Sequence, residues 1–163
     1  MHFVNAKALL NRWNGMNLYR GCAHGCVYCD SRSACYQFTH PFEDIEVKQN
    51  APELLESILQ KRRKKCVIST GSMSDPYQPC ERELQLTRRC LELIDRYGFG
   101  ASVITKSDLV LRDLELFDSI RRKAKSVLQM TLTIADDTLS RVLEPNVCTT
   151  SRRYEVLKQF QRQ

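Results

Sequence analysis

Short β-rich runs alternate with amphipathic helical stretches along most of this chain, and that rhythm limits its fold more than any other feature. "GMNLYRG" (15–21), "CVIST" (66–70), "ASVITK" (101–106) and "SVLQMTLTI" (126–134) read as four short strands. Between the first two, Asn50 is expected to cap a helix, with Pro52 in its first turn and Glu53 completing a capping box. Leu54, Leu55, Ile58 and Leu59 then follow at helical spacing. A helix from Glu81 buries Leu84, Cys90, Leu91 and Ile94 and stops at Gly98. Leu114, Phe117, Ile120 and Ala124 mark one face of the next. A short helix near Asp136–Leu143 and a last one from about Ser151 close the chain. Strand–helix alternation at this length predicts right-handed βαβ units around a parallel sheet. In such sheets chemistry gathers beyond the carboxyl ends of the strands.

The segments that follow those strands are the unusual ones. The first strand leads into "YRGCAHGCVYCDSRSACY", which holds Cys22, Cys26 and Cys29 at spacings of four and three. "TGSMSD" follows the second strand, "TKSD" the third and "LTIADD" the fourth. Thiolates are soft ligands for iron–sulfur clusters, zinc and copper. In a [4Fe–4S] cluster three cysteines ligate three irons and leave the fourth open to chelate a cofactor. The rival is zinc, with His24, His40 or Cys35 as the fourth ligand. The spacing alone leaves both open. The other cysteines, Cys66, Cys80, Cys90 and Cys148, are scattered singly and read mostly as small buried apolar groups.

The 163 residues suit one domain, 1–163, with a single core. A content of 42% hydrophobic and 27% charged residues is ordinary for a globular chain and argues against broad disorder. The opening "MHFVNAKALLNRWNG" lacks the apolar core of a signal peptide, and no apolar run approaches ~18 residues, so no membrane span is expected. A cytoplasmic location is expected, where clustered thiols are metal ligands or catalysts more often than disulfides. The net charge of +6 permits an anionic partner. "KRRKK" (61–65), "RRK" (121–123) and "RR" (152–153) offer phosphate contacts, so nucleic acid is a possible partner, but solvated helix ends account for them equally well.

"CAHGCVYC" resembles the Cys-x3-Cys-x2-Cys signature of the radical SAM superfamily, with Tyr28 just before the third cysteine. "YRGCAHGCVYCDSRS", "VKQNAPELL", "TGSMSDPYQP", "ITKSDLVLRDLELF" and "TLTIADDTLSRVLEPNVCTTSRR" are similar, in order and over nearly the whole chain, to the branch related to spore photoproduct lyase. The resemblance implies a [4Fe–4S] cluster on Cys22, Cys26 and Cys29, whose open iron chelates S-adenosylmethionine. Reductive cleavage then gives a 5′-deoxyadenosyl radical that takes hydrogen from a substrate, unknown here. It implies that Gly71 and Ser72 meet the methionine amino group, and that Lys106, with Ser107 beside it, faces the methionine carboxylate. Tyr28 is expected to pack near the adenine or to shield the cluster, and Thr133 to lie near the ribose. Arg141 either supports the carboxylate or decorates a helix, and Asp75–Pro76 reads as turn chemistry. A flavodoxin- or ferredoxin-like electron donor is implied as partner.

Two departures stand out. The lyase uses a hydrogen-donating cysteine in the loop after the second strand, where this chain carries Gly71, Ser72 and Met73, with Cys80 farther along. The resemblance also implies a partial barrel of about six βα units, of which about four strands can be placed. The last two units are expected to be missing, leaving an open sheet edge and a tendency to self-associate. Against the enzyme stands a second reading, a truncated, non-catalytic remnant or interaction module that binds a cluster or zinc.

Overall fold

A computed structural model describes residues 1–162. Four strands, β2 (Gly15–Met16), β5 (Val67–Thr70), β6 (Gly100–Thr105) and β7 (Ser126–Met130), form a parallel sheet in the order β2-β5-β6-β7. A smaller sheet of β1 (His2–Val4), β4 (Glu46–Lys48) and β3 (Tyr19–Arg20) lies in the order β1-β4-β3. The helices are α1 (Ala51–Lys61), α2 (Glu81–Leu84), α3 (Leu86–Arg96), α4 (Leu114–Arg121), α5 (Asp137–Leu143) and α6 (Thr150–Gln161). The four-stranded sheet is open, as in an incomplete βα barrel: among the described residues neither β2 nor β7 has a second named strand beside it, and β2 carries only an isolated bridge from Leu10 to Met16.

The core follows from the sequence pattern. Ile68, Ala101 and Val103 on the central strands pack with Leu55 and Leu59 of α1 and with Cys90, Leu91 and Ile94 of α3, all buried. Each fully buried aliphatic side chain contributes roughly 1.5–3 kcal/mol. Phe117 of α4 meets Phe160 of α6 edge-on at 5.2 Å, which ties the last helix to α4.

Four local expectations are revised. The segment 15–21 is two strands, not one: Gly15–Met16 pairs with β5, and Tyr19–Arg20 crosses to pair antiparallel with β4. The fourth strand ends at Met130, not at 134, because its partner β6 ends at Thr105 and offers no ladder beyond it. Asn50 stands at the N-cap position of α1, as expected, but its side chain makes no cap hydrogen bond; it bonds the Ala6 N–H (2.8 Å) and carbonyl (3.0 Å) instead. The helix from Glu81 is broken at Gln85, which sits at φ +49. The buried Glu81 carboxylate accepts the Thr87 N–H at 3.0 Å, so it caps α3 from outside that helix.

Candidate functional site

Beyond the carboxyl ends of β5 and β6 lies a cleft of about 390 Å³. Its lining includes all three clustered cysteines, with Tyr28, Gly71, Ser72 and Lys106. Three segments distant in sequence hold the cysteine loop. Gln78, fully buried, accepts the Ala23 N–H at 3.1 Å and donates to the Gly21 carbonyl at 3.4 Å. The Cys22 N–H donates to the Phe42 carbonyl at 3.3 Å. Asn146 donates its backbone N–H to His24 (3.2 Å) and its side-chain amide to Ala23 (2.9 Å), while Val27 donates to Leu143 (3.0 Å). The loop 21–29, nine residues without regular structure, is thus fixed at both flanks.

Gly71 is required where it stands. Its φ is +99, and a Cβ there would lie 2.0 Å from the Ile104 carbonyl oxygen. The chain leaving β5 therefore passes directly over the end of β6, which brings the Gly71–Asp75 turn into the cleft.

Beneath the cysteines lies a buried charge pair. His24 Nδ1 stands 3.4 Å from Asp75 Oδ2. Burial opposes protonation of the imidazole, but its bonds to Asp75 and Cys22 prevail and lift it to about 9. Burial raises the Cys22 thiol as well, yet the hydrogen bond from His24 prevails and holds it below its ordinary value. Asp75 also accepts from Thr105 Oγ1 (2.6 Å), the Lys106 N–H (2.8 Å) and the Tyr77 N–H (2.9 Å). Read in the sequence as turn chemistry, Asp75 joins three elements of the site. The sequence held a signal for this, a carboxylate opposite the β6 terminus after a Gly-Ser-Met-Ser run, but no spacing rule extracts it.

A second buried group closes the far side. Glu144 forms an ion pair with Arg153 at 2.5 Å, both side chains wholly buried. It also accepts hydrogen bonds from the Tyr28 hydroxyl and from Thr133 Oγ1, the latter at 2.9 Å. Arg153 donates to the Thr131 carbonyl (3.0 Å) and the Cys148 carbonyl (2.9 Å). The "RR" run is therefore not a solvated pair: Arg153 is structural, and Arg152 pairs with Asp108 at 2.8 Å.

The remaining sequence candidates fall as follows. Lys106 lines the cleft, with Nζ 5.7 Å from the Tyr28 ring centre. Ser107 is not among the lining residues; its hydroxyl accepts the Leu109 N–H at 3.3 Å and starts a 3-10 turn. Thr133 lies past the end of β7 and outside the lining, with its Oγ1 2.8 Å from the Tyr28 hydroxyl oxygen, while Thr131 lines the cleft instead. Arg141 is exposed on α5. Cys35 is exposed, with its Sγ 2.8 Å from Ser33 Oγ, and is not in the lining. His40 stands by His2 and Glu46 rather than by the cysteines.

The donor set bears on which group fits. Two thiolates on one zinc ion lie about 3.8 Å apart, from Zn–S distances of ~2.3 Å. Among the described residues, Cys22, Cys26 and Cys29 do not come within 4.8 Å of one another as a three-ligand group. Three unpaired thiols spread around a cleft are suited to a body wider than one ion.

An open parallel sheet carries a three-thiol cleft at its carboxyl end, and comparison with known proteins gives the class to which it belongs. The chain belongs to the Radical SAM superfamily, whose profile matches residues 16–163. The cofactors of that family are a [4Fe–4S] cluster and S-adenosylmethionine. An uncharacterized protein of Methanocaldococcus jannaschii is 35% identical over 147 residues, covering 88% of this chain and 53% of that protein. One from Mycobacterium tuberculosis is 30% identical over 161 residues, 94% of this chain and 46% of its own length. The chain thus spans about half the length of these relatives. No solved structure matches it. No helix among the described residues is long and apolar enough to cross a membrane.

Proposed function

We propose that Cys22, Cys26 and Cys29 hold a [4Fe–4S] cluster and that this chain is the cofactor-cleaving part of a radical SAM enzyme. The observation that supports this best is the single cleft shared by the three thiols, the Gly71–Asp75 turn and Lys106. When bound, the cluster and S-adenosylmethionine supply reductive cleavage to a 5′-deoxyadenosyl radical, which takes hydrogen from a substrate. The chain's own residues have narrower tasks. Gly71 and Ser72 present backbone and hydroxyl groups to the methionine amino group. The Lys106 ammonium faces the methionine carboxylate, within reach of the Tyr28 ring that borders the adenine side. Ser107 and Thr133 act at one remove, Ser107 by shaping the turn after Lys106 and Thr133 by orienting Tyr28. The His24–Asp75 pair keeps a positive group beside the Cys22 thiolate and so favours its ligand form.

The finer reading is a relative of spore photoproduct lyase with another substrate. Met73, in the loop where the resemblance puts the hydrogen-donating cysteine of the lyase, lines the cleft, and Cys80 is not in the lining. Burial lifts the Cys80 thiol to about 11. A flavodoxin- or ferredoxin-like protein is the proposed reductant, the cytoplasm the proposed compartment, and residues 1–163 one domain.

The test is anaerobic loading with iron and sulfide, reduction, and addition of S-adenosylmethionine. Formation of 5′-deoxyadenosine supports the enzyme. A bound cluster without cleavage supports the non-catalytic alternative, and one tightly held zinc per chain rejects the cluster.

A further inference from the structure

On the small sheet, away from the thiol-lined cleft, two histidines and a glutamate converge. His2, His40 and Glu46 each place one ligand atom so that the three lie within 4.8 Å of one another. The parallel register of β1 and β4 sets His2 directly beside Glu46. The His40 ring stands edge-on to His2 at 4.9 Å and to Phe38 at 5.5 Å.

The hydrogen bonding leaves a definite gap. His40 Nδ1 lies 3.0 Å from the Pro41 carbonyl oxygen. A carbonyl only accepts, so Nδ1 carries the proton and Nε2 of the neutral ring carries a lone pair. That Nε2 is buried and has no hydrogen-bond partner among the described residues. The group it faces, Glu46 Oε2, is 3.9 Å away and is itself an acceptor. A buried, unpartnered ring nitrogen facing a carboxylate oxygen is unfavourable unless something positive stands between them. Arg20, opposite Glu46 on β3, does not fill that role, because its guanidinium donates to the Tyr36 and Gln37 carbonyls; Lys48, farther along β4, feels the Glu46 charge but forms no ion pair with it among the described residues. His2 Nδ1 rests on Asp44 Oδ2 at 3.0 Å, and the other Asp44 oxygen takes the Met1 amine at 2.7 Å. Ring nitrogens held from behind by a carboxylate and by a carbonyl are the arrangement that orients metal-ligating histidines.

We propose that His2, His40 and Glu46 bind one divalent transition-metal ion, with zinc best suited to two imidazoles and a carboxylate. Donors ~2.1 Å from one ion are at most about 4.2 Å apart. The 3.9 Å between His40 and Glu46 meets that limit, and the half-exposed His2 closes the remaining distance by a small rotation. The ion would tie β1 and β4 to the segment that leaves Cys29.

The test uses the full chain with Cys22, Cys26 and Cys29 changed together to Ser, titrated with cobalt(II) and with zinc. The unsubstituted chain, titrated with cobalt(II) in parallel, guards against a folding defect of that triple variant. The expected result is one ion per chain, a cobalt spectrum lacking thiolate bands, and a zinc-dependent rise in the thermal midpoint. Asp44→Asn weakens zinc binding about 10–100-fold. His40→Ala and Glu46→Gln each weaken it at least as much. Absence of saturable binding in both chains overturns the proposal. So does binding that survives His40→Ala and Glu46→Gln, or that follows the Met1 amine and is abolished by its acetylation alone.

Discussion

His24 and Asp75 face each other at 3.4 Å with only 4% and 9% of their side chains exposed, and His24 also hydrogen-bonds the Cys22 thiol. Asp75 is also where the turn after β5 and the end of β6 are joined, through Thr105 and Lys106. Asp75→Ala leaves three donors and a charged imidazole without their acceptor. The expected cost is about 3 kcal/mol or more, read from urea unfolding. A loss under about 1 kcal/mol would mean that the pair does not organise the site.

Gly71→Ala is expected to act on folding before it acts on binding. The added methyl group meets the Ile104 carbonyl, and the backbone there is at positive φ. Overpacking and left-handed strain together are expected to cost about 2–4 kcal/mol. A variant with an unchanged denaturation midpoint would contradict the close crossing of β5 over β6.

Glu144 predicts an acid limb of stability. Burial pushes its carboxyl up, but hydrogen bonds from Tyr28, Arg153 and Thr133 prevail and hold it below its ordinary 4.5. The folded value lies under the unfolded one, so its contribution is complete above about 4.5 and is lost as pH falls through the lower folded value. Glu144→Gln is expected to be less stable at pH 7 and to flatten the loss of stability below pH ~4.5. Unfolding curves between pH 3 and 7 check this; equal slopes for both proteins would contradict it.

Tyr28 and Arg141 separate positioned from decorative side chains near the cleft. Tyr28→Phe removes a hydrogen bond to a buried carboxylate and is expected to cost about 1 kcal/mol. Arg141 is exposed, and Arg141→Ala is expected to stay within about 0.5 kcal/mol. Equal effects in thermal unfolding would remove Tyr28 from the network.

Legibility in the sequence followed the range of the interactions. The β5, β6 and β7 runs and the faces of α1, α3 and α4 are written in local periodicity, so they were readable. So was the cysteine spacing, because a single loop supplies all three thiols. Glu144 and Arg153 were not, since their pairing joins the end of α5 to α6 and nothing in "EPNVCTTSRR" distinguishes a buried arginine from the exposed one before it. Asn50 is half legible for the same reason: its N-cap position is local, but its side chain is claimed by Ala6, 44 residues away. The strand proposed to 134 failed because strand length is set by the neighbour, and β6 stops first.

The central claim is that three thiols of one loop hold one cluster. The most direct measurement is iron and sulfide content with electron paramagnetic resonance of the reduced, anaerobically loaded chain, before and after S-adenosylmethionine. The account predicts about four iron and four sulfide per chain and a reduced-cluster signal altered by the cofactor. It also predicts loss of both in Cys22→Ala, Cys26→Ala or Cys29→Ala, but not in Cys35→Ala. A cluster that persists without Cys29 and disappears without Cys35 would contradict it.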